Sequence, residues 1–384
     1  MPAASNDSIQ MVDLQTQYRR LKQKIDAAIQ DVLLKAQFIN GPQVKTFASH
    51  LAQYVDIPYV IPCANGTDAI HIALMALDLQ PGEEVIVPAF NYVAAAETAA
   101  MLGLMPVFVD VDADTFNMDV NKIEYAISHR TKVIIPVHLF GQACDMEPIM
   151  RIADKYNLYV IEDNAQSIGA SYTDSSGKTK CAGTIGHIGT TSFFPSKPLA
   201  CYGDGGAMMT ADAKLAERMH MIANHGQEKK YKHKIIGCNS RLDTLQAAIL
   251  DIKLKYLSEF NHVRIRVAER YNRAFNRLPD IITPYKTANT SHIYHQYTIK
   301  VKDGKRDDLQ AWLKERGIPT MIYYPIPLDK QEAFRYHARK IGNLNIADQL
   351  TQMVLSLPIH TEMREYEQDY IIKQVIDFFR KTEK

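Results

Sequence analysis

The sequence predicts an α/β fold with a large, mainly parallel sheet between helices, followed by a smaller α+β domain. Two observations predict the sheet: short, wholly apolar runs recur between residues 59 and 210, and helix-length segments separate most of them. Strands buried on both faces show such continuous apolar runs, and helices connect parallel neighbours. The seven runs are YVIPCA, EVIVPA, MPVFVDV, KVIIPVHL, YVIEDNA, TTSFFPS and GAMMT.

Helices are predicted before and after these runs. Leu21, Ile25 and Val32 recur at helical spacing and indicate an amphipathic helix near the N-terminus, and a second helix starts at GPQV. After the sheet, residues 240–278 are predicted to form either one connecting helix or two consecutive helices.

The C-terminal part is predicted to be a separate, smaller domain. HIYHQYTIKV indicates a strand, DLQAWLKERGIPTMIYYPIPL a helix followed by a strand, and YEQDYIIKQVIDFFRKTEK a terminal helix. We place the boundary in the long helical stretch, so that the large domain covers residues 1–260 and the small domain covers residues 261–384.

Composition and charge argue against several classes of partner. The 384 residues are 46% hydrophobic, and 44 Lys and Arg nearly balance 43 Asp and Glu, so no global field attracts nucleic acid or a membrane surface. No apolar run approaches the ~18 residues of a membrane span, and no signal-peptide pattern is present, which predicts a cytoplasmic protein. The five cysteines show neither CxxC nor metal-ligand spacing, so no metal site is expected.

Two of the predicted strands end in residues suited to ligand binding. YVIPCA runs into Asn65-Gly66-Thr67-Asp68, where a turn opens a helix whose free N–H groups suit a phosphate. YVIEDNA carries Asp163 at its carboxyl end, where α/β sheets place ligands. Each stretch has an ordinary alternative: a turn with a helix N-cap for the first, and a turn residue or N-cap for Asp163.

Lys197 is the third candidate, between the apolar and the glycine-rich parts of TSFFPSKPLACYGDGG. A lysine that forms a Schiff base needs an unprotonated amine, and an apolar, desolvated site lowers its pKa in that direction. Taken alone, Lys197 is a solvated loop lysine. A phosphate cradle, an acid for a ring nitrogen and a sheltered lysine are together the three parts that bind pyridoxal phosphate.

These motifs belong to a wider resemblance. Through VDLQTQY, GPQV, CANGTDAI, VIVPAFNYVAAAE, PVFVDVD, IIPVHLFGQ, VIEDNAQSIGA, SFFPSKPLACYGDGGA, NSRLDTLQAAIL and YYPIPL, the chain resembles the DegT/DnrJ/EryC1/StrS sugar aminotransferases over nearly its whole length. The resemblance implies the fold-type I architecture with a seven-stranded sheet. It also implies transamination with pyridoxal phosphate as cofactor and pyridoxamine phosphate as its second form.

The resemblance assigns roles residue by residue. Lys197 resembles the lysine that forms the Schiff base and moves a proton, and Asp163 the acid that keeps the pyridine nitrogen protonated. Tyr92 matches an aromatic residue stacked on the ring, and Gln166 a residue near its phenolic oxygen. The phosphate is expected to be bound by Gly66, Thr67 and Ser192.

A homodimer with shared active sites is also implied. Asn239 matches an asparagine that reaches the phosphate in the other subunit, with Arg241 supporting the same site, and Tyr324 matches a residue of the sugar pocket. The basic run that starts at His225 offers cations for a substrate carboxylate. Without the resemblance, Tyr92 is a core tyrosine, Asn239 and Arg241 are an N-cap and an exposed charge, and the basic run is a solvated loop.

The expected substrates are L-glutamate and a nucleotide-linked ketosugar. SFFPSKPL, HGQEKKYKHK and NSRLDTLQAAIL favour UDP-2-acetamido-2-deoxy-3-keto-glucuronic acid, used for surface polysaccharide or lipopolysaccharide. Ala200, where glycine is usual, and Tyr323 and Asp329, where histidines often occur, depart from the family pattern and bear on the sugar. The alternatives are amination at C4, a dTDP-sugar, or a non-catalytic regulator that binds the cofactor.

Overall fold

The computed structural model describes residues 8–382. The helices are α1 Leu14–Lys35, α2 Pro42–Val55, α3 Gly66–Ala76, α4 Ala94–Met101, α5 Val120–Ala126, α6 Met146–Tyr156, α7 Ala213–Ala223, α8 Thr244–Leu254, α9 Leu257–Phe275, α10 Arg306–Glu315, α11 Asn345–Met353 and α12 Glu365–Thr382. The strands are β1 Tyr59–Cys63, β2 Glu84–Pro88, β3 Met105–Val109, β4 Thr131–Ile134, β5 Tyr159–Asp163, β6 Ser171–Thr173, β7 Thr179–Cys181, β8 Ile188–Ser192, β9 Gly206–Thr210, β10 Gln227–Lys229, β11 Lys232–His233, β12 Ile281–Ile282, β13 Tyr297–Val301, β14 Arg339–Lys340 and β15 Val354–Leu357.

The large sheet has the order β1-β9-β8-β5-β4-β2-β3-β14. β9 runs antiparallel to both of its neighbours, and all pairs from β8 to β14 are parallel. The predicted α/β class is therefore confirmed, and each of the seven apolar runs overlaps one strand. The sheet differs from the prediction by an eighth strand, β14, which has 2 residues and lies far along the chain, so no apolar run marks it.

Helices cover both faces of this sheet, as its apolar strands predict. On one face, Val85, Val87 and Ile161 pack in a core with residues of α3, α4 and α7. On the other face, Ile86 and Val160 pack with residues of α5 and α6. Because neighbouring residues of a strand point to opposite faces, burial on both sides requires the continuous apolar runs seen in the sequence.

The predicted N-terminal helices and the long helical stretch are both present. The Asp13 side chain caps α1 by accepting a hydrogen bond from the Thr16 N–H at 2.9 Å. Phe47 and Leu51 of α2 pack in one core with Leu250 of α8. Of the two alternatives for residues 240–278, the structure shows consecutive helices, α8 and α9.

A second core lies in the C-terminal part of the chain. There α9, α10 and α12 pack on the antiparallel sheet β12-β13-β15, around Tyr271, Tyr297 and Ile371. The predicted boundary between residues 260 and 261 falls inside α9, and the division into domains 1–260 and 261–384 stays a prediction.

Residues 320–344, here called the return segment, run from this second core back to the large sheet. The strand predicted within GIPTMIYYPIPL is wrong: Met321 forms an isolated bridge with Ser356, and prolines interrupt a longer ladder. Further along, β14 pairs with β3, and the Arg339 guanidinium donates to both oxygens of the buried Glu84 carboxylate, at 3.0 and 2.8 Å. These contacts attach the return segment to the large sheet.

Candidate active site

A cavity of about 800 Å³ lies at the carboxyl ends of β1, β2, β5 and β8. These strands run in the same direction, so the residues that follow them meet at one edge of the sheet. Eight of the predicted site residues line this cavity: Gly66, Thr67, Tyr92, Asp163, Gln166, Ser192, Lys197 and Tyr324.

The start of α3 forms one wall of the cavity. Asn65 caps this helix, as its Oδ1 accepts a hydrogen bond from the Asp68 N–H at 2.8 Å. Gly66 approaches Ser192 so closely that a Cβ at residue 66 would lie 2.6 Å from the Ser192 Cβ. The N–H groups of a first helical turn lack intrahelical acceptors and carry partial positive charge, so this glycine-lined wall suits a phosphate.

Asp163 ends β5 and faces the cavity while remaining buried, at 7% exposure. Its Oδ1 accepts a hydrogen bond from the Ala165 N–H at 3.0 Å. Burial raises the pKa of this carboxyl above its ordinary value, and the Ala165 hydrogen bond and the charge of Lys197 oppose that shift. The carboxylate therefore retains acceptor capacity for a hydrogen bond from a ligand.

Lys197 reaches the same cavity from the turn that follows β8. Its backbone N–H donates to the Phe194 carbonyl at 2.8 Å. Desolvation lowers the pKa of the Lys197 amine below that of an exposed lysine, and the negative charge of Asp163 opposes this effect. The amine is therefore more readily deprotonated than that of a solvated loop lysine, which suits a nucleophile.

Gln166 connects the sheet edge to the return segment. Its Oε1 accepts a hydrogen bond from the Phe140 N–H at 2.9 Å, and its Nε2 donates to the Tyr324 hydroxyl at 3.3 Å. Tyr92 also lies beside Tyr324, with 6.4 Å between the ring centroids. Because Tyr92 is 57% exposed, it is not a core tyrosine, and its ring is accessible to a ligand.

Three predicted residues lie away from the cavity. Asn239 and His225 are exposed, and the Arg241 Nε is buried with no hydrogen-bond partner among residues 8–382. None of the three belongs to the cavity lining found in the described chain. The expectation that Asn239 and Arg241 act in the other subunit's site stays a prediction.

Sequence analysis missed several residues of the lining, among them Asn91, Phe140, His295 and Gln296. Phe140 has a left-handed backbone with φ of 57°, which a bulky side chain rarely adopts. His295 is buried, and desolvation with the nearby charge of Lys197 lowers its pKa well below the ordinary value, so its ring is neutral. VIVPAFNYVAAAE, IIPVHLFGQ and HIYHQYTIKV contained these residues, but strand periodicity does not distinguish a ligand-facing side chain from a core one.

The lining residues fit pyridoxal phosphate. The close approach of Gly66 to Ser192 leaves a cradle that a Cβ would fill, at the helix terminus suited to the phosphate. Asp163 offers an acceptor for a protonated ring nitrogen, and Lys197 an amine for the aldehyde. All three groups face one cavity, as binding of a single molecule requires.

Among residues 8–382, no group of three or more His, Cys, Asp or Glu side chains is placed to hold a metal ion. In the same part of the chain, no helix combines the length and the apolar character needed to span a bilayer.

Curated relatives match more than nine tenths of the chain. The chain is 49% identical to the UDP-2-acetamido-2-deoxy-3-oxo-D-glucuronate aminotransferase of Pseudomonas aeruginosa, over 92% of this chain and 95% of that protein. It is 44% identical to the "Pleiotropic regulatory protein" of Geobacillus stearothermophilus, over 97% and 99%. It is also 36% identical to the dTDP-3-amino-3,4,6-trideoxy-alpha-D-glucose transaminase of Streptomyces venezuelae, over 93% and 92%.

Solved structures of aminotransferases have the same fold over nearly the whole chain. A DegT DnrJ EryC1 StrS aminotransferase from Brucella abortus is 41% identical and superimposes with a TM-score of 0.92, covering 97% of this chain and 99% of that chain. Bacillus subtilis ntda with bound cofactor PMP is 33% identical with a TM-score of 0.86, covering 96% and 83%. The DegT/DnrJ/EryC1/StrS aminotransferase family matches residues 19–376. The predicted family and enzyme class are confirmed, and the chain belongs to the DegT/DnrJ/EryC1/StrS aminotransferase family.

Proposed function

We propose that this aminotransferase uses pyridoxal phosphate to move an amino group from L-glutamate to a nucleotide-linked ketosugar. One observation carries the proposal: the Lys197 amine and the Asp163 carboxyl face the same cavity, and desolvation lowers the pKa of the Lys197 amine, which favours its nucleophilic, unprotonated form. Family membership and the PMP-bound relative from Bacillus subtilis support the cofactor.

Each wall of the cavity has its own task in this proposal. Bound pyridoxal phosphate supplies an electron sink to a carbon that loses a proton. Asp163 accepts the hydrogen bond of the ring nitrogen and keeps it protonated, and the Lys197 Nζ binds the cofactor and carries the proton. Tyr92 supports the ring face and Gln166 its phenolic oxygen. The first turn of α3 and Ser192 would hold the phosphate.

The proposed substrate is UDP-2-acetamido-2-deoxy-3-keto-glucuronic acid. The enzyme would act in the cytoplasm, and its product would be used to make lipopolysaccharide or another surface polysaccharide. The Pseudomonas aeruginosa relative, which is named for this sugar, is 49% identical, compared with 41% and 36% for the dTDP-sugar transaminases of Aneurinibacillus thermoaerophilus and Streptomyces venezuelae. Tyr323 and Tyr324 both line the cavity and shape its sugar side. The basic run that starts at His225 is the proposed source of cations for the uronate.

The proposal includes a homodimer in which each subunit completes the other's site through Asn239 and Arg241. Apolar side chains are exposed in the segment that joins α1 to α2, with Phe38 at 44% and Ile39 at 52%. Ile236, near Asn239 in the chain, is 85% exposed. Exposed apolar groups of this size are typical of a subunit interface.

Complementation between two inactive variants tests the shared site. Lys197→Ala and Asn239→Ala homodimers are expected to be nearly inactive, and subunit exchange between them to restore activity in about a quarter of the sites. The restored sites are wild type because each mixed dimer carries both substitutions in one site. If each site lies within one chain, each mixed dimer keeps one defect in each site, and the mixture stays inactive.

A regulatory role is the second candidate, because the Geobacillus stearothermophilus relative has a regulatory name. The two candidate functions differ in whether the bound cofactor reacts with amino donor and ketosugar. The test is to record the cofactor absorbance of the purified protein, to add L-glutamate, and then to add ketosugar nucleotides one at a time. An absorbance that changes with glutamate and returns with one ketosugar supports the proposed enzyme and identifies its substrate. Bound cofactor that responds to neither addition favours the regulator.

A further inference from the structure

A second, small cavity lies beside the turn that carries Lys197. Its volume is about 10 Å³, and Pro195, Lys197 and Pro198 form one of its walls. Lys253 of α8 and Arg264 of α9 line it as well, and both side chains are buried, at 1% and 3% exposure. The proposed transamination uses neither of these two cations.

Neither buried cation pairs with an acid in the part of the chain that the structure describes. The Lys253 Nζ has no hydrogen-bond partner there, although it lies 4.5 Å from the centroid of the Tyr202 ring. The Arg264 Nη1 donates to the carbonyls of His295 and Ile359, at 3.4 and 3.0 Å, and the Arg264 Nε has no partner. The groups contacted are neutral, so both positive charges lack a counter-charge.

Both cations are charged at neutral pH. Burial lowers the pKa of the Lys253 amine to about 8 and that of the Arg264 guanidinium to about 10, and both values stay above neutrality. His360, which also lines the cavity, is neutral, since burial lowers its pKa to about 4. Asp13 is the only acid among the described lining residues, so it balances at most one cation, and Lys197 adds no negative charge. One positive charge is left over.

The charge and the size of the cavity together select its occupant. A buried charge destabilises a fold unless it is paired, so the leftover positive charge calls for an anion. A volume of about 10 Å³ holds one particle about the size of a water molecule. Phosphate, sulfate and carboxylates have several heavy atoms and do not fit, whereas a monatomic halide does. A water molecule also fits, but it carries no charge.

We propose that this cavity binds one chloride ion between Lys253 and Arg264, an inference that is independent of the proposed function. The ion neutralises the leftover charge and accepts hydrogen bonds from the Lys253 Nζ and the Arg264 Nε. It thereby joins α8 to α9 beside the turn that carries Lys197, and it stabilises the fold without contacting the substrate.

The melting temperature of the full chain tests the proposal in sodium chloride and, at equal ionic strength, in sodium gluconate, whose anion is too large for the cavity. The wild type is expected to melt higher in chloride, by on the order of 1–2 °C for each tenfold rise in concentration above the Kd. Lys253→Met removes one cation and keeps a long side chain, so the difference between the two salts should vanish. Lys255→Met, at an exposed lysine directly after α8, is the matched control and keeps the difference.

Bromide in place of chloride locates the ion. In wild-type crystals grown with sodium bromide, an anomalous diffraction peak between Lys253 and Arg264 supports the proposal, and a water molecule at that place overturns it. This measurement decides the matter even if Lys253→Met does not fold. A wild type that melts equally in both salts, or a Lys253→Met protein that keeps the difference, also overturns the proposal. None of these outcomes involves the cofactor or the sugar, so the proposed function is tested separately.

Discussion

Two acidic residues are adjacent at the end of β5, and the two faces of the sheet offer their carboxylates different numbers of hydrogen-bond donors. Glu162 and Asp163 point to opposite faces and are 0% and 7% exposed. Glu162 accepts four hydrogen bonds, at 2.6 to 2.8 Å, from His138 Nε2 and from the N–H groups of Gly183, Ile185 and Gly186. Asp163 accepts one from the backbone, from Ala165.

The difference in donors sets the sign of each pKa shift. Burial alone would raise the pKa of both carboxyls. At Glu162 the hydrogen bonds from His138 and the backbone outweigh burial, so its pKa falls below the ordinary value, whereas at Asp163 burial prevails and the pKa rises. The comparison teaches that a buried carboxylate with many hydrogen-bond donors from the fold stabilises the structure. A buried carboxylate with few such donors remains available to bind a ligand.

The largest effect is expected on the ligand-facing side, from Lys197→Ala. Removal of the amine leaves no group to bind the cofactor covalently or to carry the proton, so turnover should fall on the order of 10³-fold or more. The free energy of unfolding of the apoprotein should not fall, because desolvation already disfavours the charged amine. Lys178→Ala, at an exposed lysine, is the control. A loss of stability in Lys197→Ala as large as that expected for Glu162→Ala would show that Lys197 also stabilises the fold, and would contradict the contrast between the two sides of the sheet.

The next effect is expected on the structural side, from Glu162→Ala. The substitution leaves four donors, two of them buried, without their acceptor, so urea unfolding should show a loss of about 3–5 kcal/mol. A variant with unchanged stability would mean that the four hydrogen bonds contribute nothing net.

The pH dependence of stability, compared between the wild type and Glu162→Gln, tests whether Glu162 is held as a carboxylate. Because the folded pKa of Glu162 lies below its unfolded value, its stabilisation is complete above the unfolded pKa and is lost as the pH falls through the folded pKa. The difference in unfolding free energy between wild type and Glu162→Gln should therefore shrink in acid. A difference that is constant with pH would show that Glu162 is not held as the carboxylate.

Asp163→Asn is expected to reduce turnover on the order of 10²-fold with little change in stability, since a ligand-facing charge is lost but few protein contacts are. The substitution also removes a negative charge that favours the Lys197 ammonium, so the pKa of Lys197 should fall further. The rate at which the apoprotein binds pyridoxal phosphate should then reach its midpoint at a lower pH. A midpoint shifted upward would contradict the proximity of these two charges.

The smallest effect is expected from Tyr324→Phe, which removes the single hydrogen bond of 3.3 Å between Gln166 and the return segment. Stability should fall by about 0.5–1.5 kcal/mol in urea unfolding. Tyr336→Phe, at an exposed tyrosine of the same segment, should leave stability unchanged. A loss of several kcal/mol would place Tyr324 with the structural residues rather than with the cavity wall.

Much of the large sheet and part of the site could be predicted from the sequence. The apolar runs, the Asn65 N-cap and the placement of Asp163 after a strand depend on residues close together in the chain, and each is present in the structure. The return segment was not predicted, since β14 is short and its partner β3 lies more than two hundred residues earlier. Asn91 was missed for a related reason: whether its amide finds a hydrogen-bond partner within residues 8–382 depends on everything packed around it.

The sequence by itself therefore determined most elements of the large sheet, their order along the chain and the edge of the sheet at which the cavity lies, because periodicity and turn chemistry are local properties. The tertiary structure decided which of two adjacent acids is structural. Glu162 receives its donors from residues 138 and 183–186, more than twenty positions away on either side. Hydrogen bonds act over about 3 Å, so only the folded chain determines which groups come within reach.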